Sequence, residues 1–156
     1  MRESKYEGLI NYNTKPLVEP AWIEKAPRDP AAVVSLTHLE SNVIPGAFYF
    51  NALMILQPTP EYSFNDPPML HEDWDEVVAF FGTDPTDPSD LGGEVEFTIG
   101  DEVHIITKSC SVFLPKGLLH GPLNFKKVTR PIIAASTGNS PEYTQTLPEG
   151  WEQLLG

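Results

Sequence analysis

Two short stretches carry the residue types from which a metal site can be built. Pro115-Lys116-Gly117-Leu118-Leu119-His120-Gly121-Pro122-Leu123-Asn124 reads as a turn that stops a strand, then an imidazole and an amide at fixed offsets. Upstream, Leu70-His71-Glu72-Asp73-Trp74-Asp75-Glu76 brings a histidine and four carboxylates to the mouth of the apolar run Val77–Phe81, which Gly82 closes. Two imidazoles and a carboxylate on one face, with open coordination positions, form the facial triad suited to Fe(II); Mn, Ni, Co and Zn accept similar donors. His71 and His120 are therefore the candidate metal ligands, with Glu76 or Asp73 as the carboxylate. On a plain strand His71, Asp73 and Asp75 share one face, and Glu76 lies on the other. Glu76 joins His71 only if the chain bends between them; Asp73 needs no bend. The plainer alternative is a solvated acidic loop at 72–76 and a turn-capping histidine at 120.

These residues need rigid elements to hold them. Ala31–Leu36 reads as a short strand, and Gly46–Leu56 as an aromatic-rich one bounded by Pro45 and Pro58. Val77–Phe81 reads as a buried strand, and Thr83–Asp90 as a turn-rich loop. Glu94–Ile99 alternates polar and apolar residues, the period of a half-buried strand. Gly100-Asp101 turns it back into Val103–Thr107. Ser111–Leu114 is stopped by Pro115, and Lys127–Ala135 forms a last strand, with Pro131 placed at an edge or bulge. Residues 138–156 read as a tail with one helical turn at Trp151–Leu155. Short strands separated by turns favour a β-sandwich or small barrel.

At 156 residues the chain suits one domain. Sixteen prolines disfavour helix, because proline lacks the amide donor and clashes inside one. A net charge of −12 argues against nucleic acid or an anionic membrane as partner, since phosphates need clustered Lys and Arg. Cys110 is the only cysteine, so no internal disulfide can form. No apolar signal core opens the chain and no apolar run is long enough to span a bilayer. A cytoplasmic protein is the expectation. Prolines crowd residues 1–45, which read as an arm wrapping the core or a partner subunit.

Other residues admit a chemical and a plain reading. Arg130 could clamp a substrate carboxylate bidentately or simply make a surface salt bridge. His104 is expected on an outer strand face with Glu102, and His38 stands without a constellation. Asn124 is expected to hold its turn by side-chain hydrogen bonds. Phe48, Phe50, Phe80, Phe97 and Phe113 suit a core or a pocket wall. Cys110 has no basic neighbour to activate it.

The same two stretches resemble the motifs of the cupin superfamily. The second cupin motif is glycine, five residues, proline, any residue, glycine, two residues, histidine, three residues, asparagine. Pro115 to Asn124 matches it, with Ser109 in place of the leading glycine. The first motif has two histidines one residue apart, then a glutamate and a glycine. Either His71 is the first histidine and Asp73 replaces the second, or His71 is the second and Met69 holds the first place; the latter register suits Glu76. Gly82 falls one residue early. The resemblance covers residues 46–135 and implies an all-β double-stranded β-helix, or jelly-roll, barrel at 46–137, between the 1–45 arm and the 138–156 tail. It further implies a divalent transition metal and an enzyme acting on a small organic molecule. Dioxygenase-like oxidoreductase chemistry ranks first among decarboxylation, isomerisation and lyase reactions, with Glu76 or Asp73 available for proton transfer. A non-catalytic ligand-binding barrel is the alternative. His71-x-Asp73 with His120 and Arg130 also resembles the arrangement of Fe(II) and 2-oxoglutarate oxygenases. Cupins of this size imply a homodimer, with the arm exchanged between subunits.

Overall fold

A computed structural model describes residues 4–17, 29–59, 68–147 and 149. Among the described residues, a 3-10 turn at Glu7–Leu9 is followed by eight strands: β1 (Val33–Leu39), β2 (Phe50–Ile55), β3 (Glu76–Phe81), β4 (Asp90–Ile99), β5 (Glu102–Lys108), β6 (Cys110–Leu114), β7 (His120–Val128) and β8 (Ile132–Gly138). Every pairing is antiparallel. One sheet has the order β1-β2-β8-β3-β6 and the other β5-β4-β7. The neighbours β2-β8 and β4-β7 are far apart in sequence, so the sheets close by long crossovers rather than as a simple meander.

Period-two alternation decides what the sheets enclose. Leu53 and Ile55 of β2, Val78 and Phe80 of β3 and Ile132 of β8 point inward from the larger sheet. Leu91, Val95 and Phe97 of β4 and Leu123 and Phe125 of β7 meet them from the smaller one, in a single apolar cluster. Phe80 and Phe125 touch edge to face across it. Of the five phenylalanines weighed for core or pocket, only Phe80 and Phe97 are buried; Phe48, Phe50 and Phe113 face outward.

The short strand expected at Ala31–Leu36 is β1, Val33–Leu39, which joins the first sheet because Ala32 and Val33 have a core to enter. Two differences from the sequence reading have simple causes. Lys127–Ala135 is two strands with a turn at Arg130, and β7 starts seven residues earlier than expected, at His120. Pro122 is tolerated within β7 because it lies beside the bulge that opens the strand. The helical turn expected at 151–155 lies outside the described residues. Among the described residues no helix is long and apolar enough to cross a membrane.

Candidate metal centre

Three different segments bring the site together at one end of the barrel. Glu76 is the first residue of β3, on the same face as Val78 and Phe80, so alternation turns its carboxylate inward. His120 is the first residue of β7. Phe97 pairs with Leu123 but Ile99 pairs with His120, so β7 spends one residue more than β4 between these points. That bulge reverses the alternation and turns His120 inward beside Leu123 and Phe125. His71 precedes β3, and the bend at Glu72-Asp73 supplies the break that lets it share a face with Glu76.

The two motifs are stitched together by backbone. Met69 and His120 exchange a reciprocal pair of hydrogen bonds at 2.9 Å, and the Gly117 amide donates to the His71 carbonyl at 2.7 Å. The Lys116 amide donates to Asp75 Oδ1 at 2.9 Å. Gly117 holds φ 83 in the turn, the left-handed region that a Cβ disfavours. The Pro-x-Gly turn therefore fixes the position of both histidines.

His71 Nε2 lies 3.5 Å from Glu76 Oε1, and His120 Nε2 lies 3.4 Å from the same oxygen. One ligand atom from each of the three residues falls within a common 4.8 Å span. All three side chains are almost fully buried, with 1–3% exposure. His71 Nδ1 sits 2.6 Å from the Thr144 carbonyl, and His120 Nδ1 sits 2.9 Å from the Leu118 carbonyl. A carbonyl only accepts, so Nδ1 carries the proton in both rings. Each Nε2 is left without a hydrogen-bond partner. Both Nε2 atoms and the Glu76 carboxylate face one another in a dry setting. Such a cluster could hold a cation, and these donors fit a divalent transition metal. Burial works to raise the Glu76 pKa, but His120 and His71 outweigh it and hold the carboxyl below its usual value.

The C-terminal tail builds the wall behind His71. Trp74 stacks on the His71 ring at 3.8 Å between centroids, and its Nε1 donates to Thr144 Oγ1 at 3.0 Å. Thr144 thus receives both the ligand and the ring that supports it. A Cβ at position 138 would collide with the Trp74 ring, so Gly138 is what makes room for the stack. Tyr143 contacts His71 edge-on, donates its hydroxyl to Met69 sulfur at 3.1 Å, and is tied by its amide to Glu40 Oε1 at 2.8 Å. Glu40 is paired in turn with His38 at 3.2 Å, so His38 has a buried partner after all. The sequence shows none of this, because Trp74 and Thr144 are 70 residues apart; the one local hint is a tryptophan between two candidate ligands.

Other candidates fall elsewhere. Asp73 is exposed at the bend, outside the cluster of His71, Glu76 and His120. Arg130 lies beyond the far end of β7, where its Nη2 pairs with Asp90 Oδ2 at 2.8 Å. Eight strand residues after His120 lie between them, about 26 Å of extended chain. A substrate contact by Arg130 and the Asp73–Arg130 geometry of the 2-oxoglutarate reading are therefore not assembled. Asn124 lies within β7, opposite Glu96, rather than in the turn. His104 is exposed on β5 and pairs with Glu102 at 3.2 Å. Burial raises the Cys110 pKa, against a nucleophilic thiolate.

No protein-family model and no curated protein sequence matches the chain. Solved structures do match its fold. One is oxalate oxidase in complex with the substrate analogue glycolate, with a TM-score of 0.54 at 14% identity, covering 92% of this chain and 65% of that one. A cupin 2 domain-containing protein from Halorhodospira halophila gives 0.51 at 12% identity, covering 81% of this chain and 77% of its own. An uncharacterised protein with a double-stranded β-helix domain from Klebsiella pneumoniae gives 0.50 at 12% identity, covering 86% and 99%. The chain spans about two thirds of the oxalate oxidase chain. At such identities the likeness speaks for architecture alone, and it agrees with the two antiparallel sheets described above: the chain has a double-stranded β-helix fold.

Proposed function

We propose that this chain is a metal-binding cupin enzyme acting on a small organic molecule, with dioxygenase-like chemistry as its first reading. His71, Glu76 and His120 would hold one divalent transition metal. The observation that carries this is the pair of buried Nε2 atoms, each lacking a hydrogen-bond partner and each aimed at the same Glu76 oxygen. When bound, such a metal supplies Lewis acidity and a template for substrate oxygen atoms.

The chain's own residues do the rest. The Thr144 and Leu118 carbonyls fix the tautomer of each imidazole so that Nε2 stays free to ligate. Trp74 and Phe97 pack against His71 and His120 and keep bulk water from the ligand nitrogens. No lysine or arginine is among the buried residues described, so a substrate would be oriented by the metal and by apolar walls. That favours small molecules that chelate through oxygen, and it withdraws Arg130 as a carboxylate clamp. The identity of the reaction does not follow from the fold, which hosts many chemistries.

The test is a turnover screen of the Fe(II)- and Mn(II)-loaded protein against small oxygen-chelating molecules, following dioxygen uptake and product formation. The proposal expects metal-dependent turnover of at least one compound, lost in Glu76→Gln. Stoichiometric metal without turnover of any candidate would favour a non-catalytic binding barrel instead.

A further inference from the structure

We propose that Gln145 reads the substrate at the metal centre and selects small 2-hydroxy monocarboxylates over their 2-oxo counterparts, which rests on His71, Glu76 and His120 being metal ligands. The C-terminal tail carries Gln145 to that site. The Leu70 amide donates to the Thr146 carbonyl at 3.0 Å, and the Thr146 amide donates back to the Leu70 carbonyl at 2.8 Å. Residues next to such a reciprocal pair oppose one another across an antiparallel ladder, so Gln145 stands opposite His71. Their side chains leave from one face, and those of Leu70 and Thr146 from the other. Burial agrees: Met69 and His71 are buried, Leu70 and Thr146 only partly so. Tyr143, two residues before Gln145, marks the same face. Its ring meets His71 edge-on and its hydroxyl donates to the Met69 sulfur.

The Gln145 amide has an end to spare. Its Oε1 is buried without a hydrogen-bond partner, as are His71 Nε2 and His120 Nε2. Opposed β-carbons in an antiparallel pair stand about 4.5–5.5 Å apart, and a glutamine and a histidine side chain have similar reach. The amide oxygen is thus within range of the space in front of His71 Nε2. A buried carbonyl oxygen without a donor weakens the fold, and it can only accept. The donor it lacks is a hydroxyl on the bound molecule.

Charge sets the rest of that molecule. Imidazoles ligate in neutral form, so a divalent ion beside the Glu76 carboxylate leaves one positive charge in excess. No lysine or arginine is among the buried residues described, so nothing adds to it. One carboxylate neutralises that excess in a dry site; a dicarboxylate overshoots, and a neutral diol leaves it unpaired. A second oxygen on the adjacent carbon lets the same small molecule chelate. A hydroxyl there donates to Gln145 Oε1. A ketone there offers only another acceptor and leaves the amide oxygen unpaired. Gln145 therefore separates two acids that the metal alone would bind alike, as sites that pair a hydroxyl reject the analogue without one.

The experiment titrates the Co(II)-loaded full chain with racemic lactate and with pyruvate, following the visible absorption of the ion. Wild type is compared with Gln145→Leu and Gln145→Met, which both remove the amide and keep apolar bulk. Each substitution should weaken lactate binding about tenfold, the weight of one hydrogen bond, and change pyruvate binding by less than about twofold. Co(II) affinity should stay that of the wild type. Equal weakening of both acids, or no weakening of lactate, overturns the inference. So does a wild type that prefers pyruvate, which would turn the amide nitrogen toward the ligand. Loss of Co(II) affinity in both variants overturns it as well, making Oε1 a metal ligand instead. A wild type that takes up no Co(II) overturns the proposed function and this inference together. One that takes up Co(II) and binds neither acid overturns this inference alone.

Discussion

β7 begins at a histidine and leads, two residues past its end, to an arginine, and its two ends treat charge in opposite ways. At the arginine end the Arg130 guanidinium and the Asp90 carboxylate meet at 2.8 Å, both a third to a half exposed. Each partner answers the other, and water screens what is left. At the histidine end three acceptor groups are packed to 1–3% exposure, and two of the ligand nitrogens have no hydrogen-bond partner. The first arrangement is complete without anything added. The second is a cluster that could hold a cation.

The sharpest way to break the comparison is Glu76→Gln, which keeps size but removes the charge between the imidazoles. Metal affinity should fall by at least about 100-fold, read by titration with Co(II) or Zn(II), while the fold persists. Trp74→Phe comes next. It keeps a ring against His71 but loses the bond to Thr144, and affinity should fall about tenfold. Trp74→Ala would instead cost about 3–5 kcal/mol of stability, because it empties a buried site. Acid provides a third probe. The Glu76 pKa is held below its usual 4.5, so the ionised group contributes stability that is complete above that value. This contribution is lost as pH falls through the lowered pKa. The melting temperature of metal-free wild type should therefore drop more steeply between about pH 5 and pH 3 than that of Glu76→Gln. Smallest of all, Asp73→Asn and Arg130→Ala should leave metal content unchanged and melting temperature nearly so. Loss of metal in either would erase the distinction between the two ends.

Local chemistry was legible in the sequence where it depends on neighbours along the chain. The Pro115-Lys116-Gly117 turn, the β4–β5 turn at Gly100-Asp101 and the alternation of Glu94–Ile99 all follow from such rules. Residues set by distant partners were not. His120 looked like a loop residue because the bulge that turns it inward is defined only against β4. Asp73 and Glu76 were nearly equal as carboxylates because the bend at 72–73 has no strong sequence signature; the choice depends on Gly117 and Lys116 binding that segment from across the site. Trp74, Thr144 and the Glu40–Tyr143 link were invisible for the same reason. Phe113 and Phe50 read as core by type, yet their parity places them on the outer face of the larger sheet.

The central claim is that the buried His71–Glu76–His120 cluster holds a metal ion, and elemental analysis of the purified protein with a chelator-dependent melting curve tests it most directly. The account predicts close to one divalent transition metal ion per chain. It also predicts a fall in melting temperature on chelation that Fe(II), Mn(II) or Zn(II) restores. A metal-free protein that melts at the same temperature with chelator or with any of these ions would contradict it.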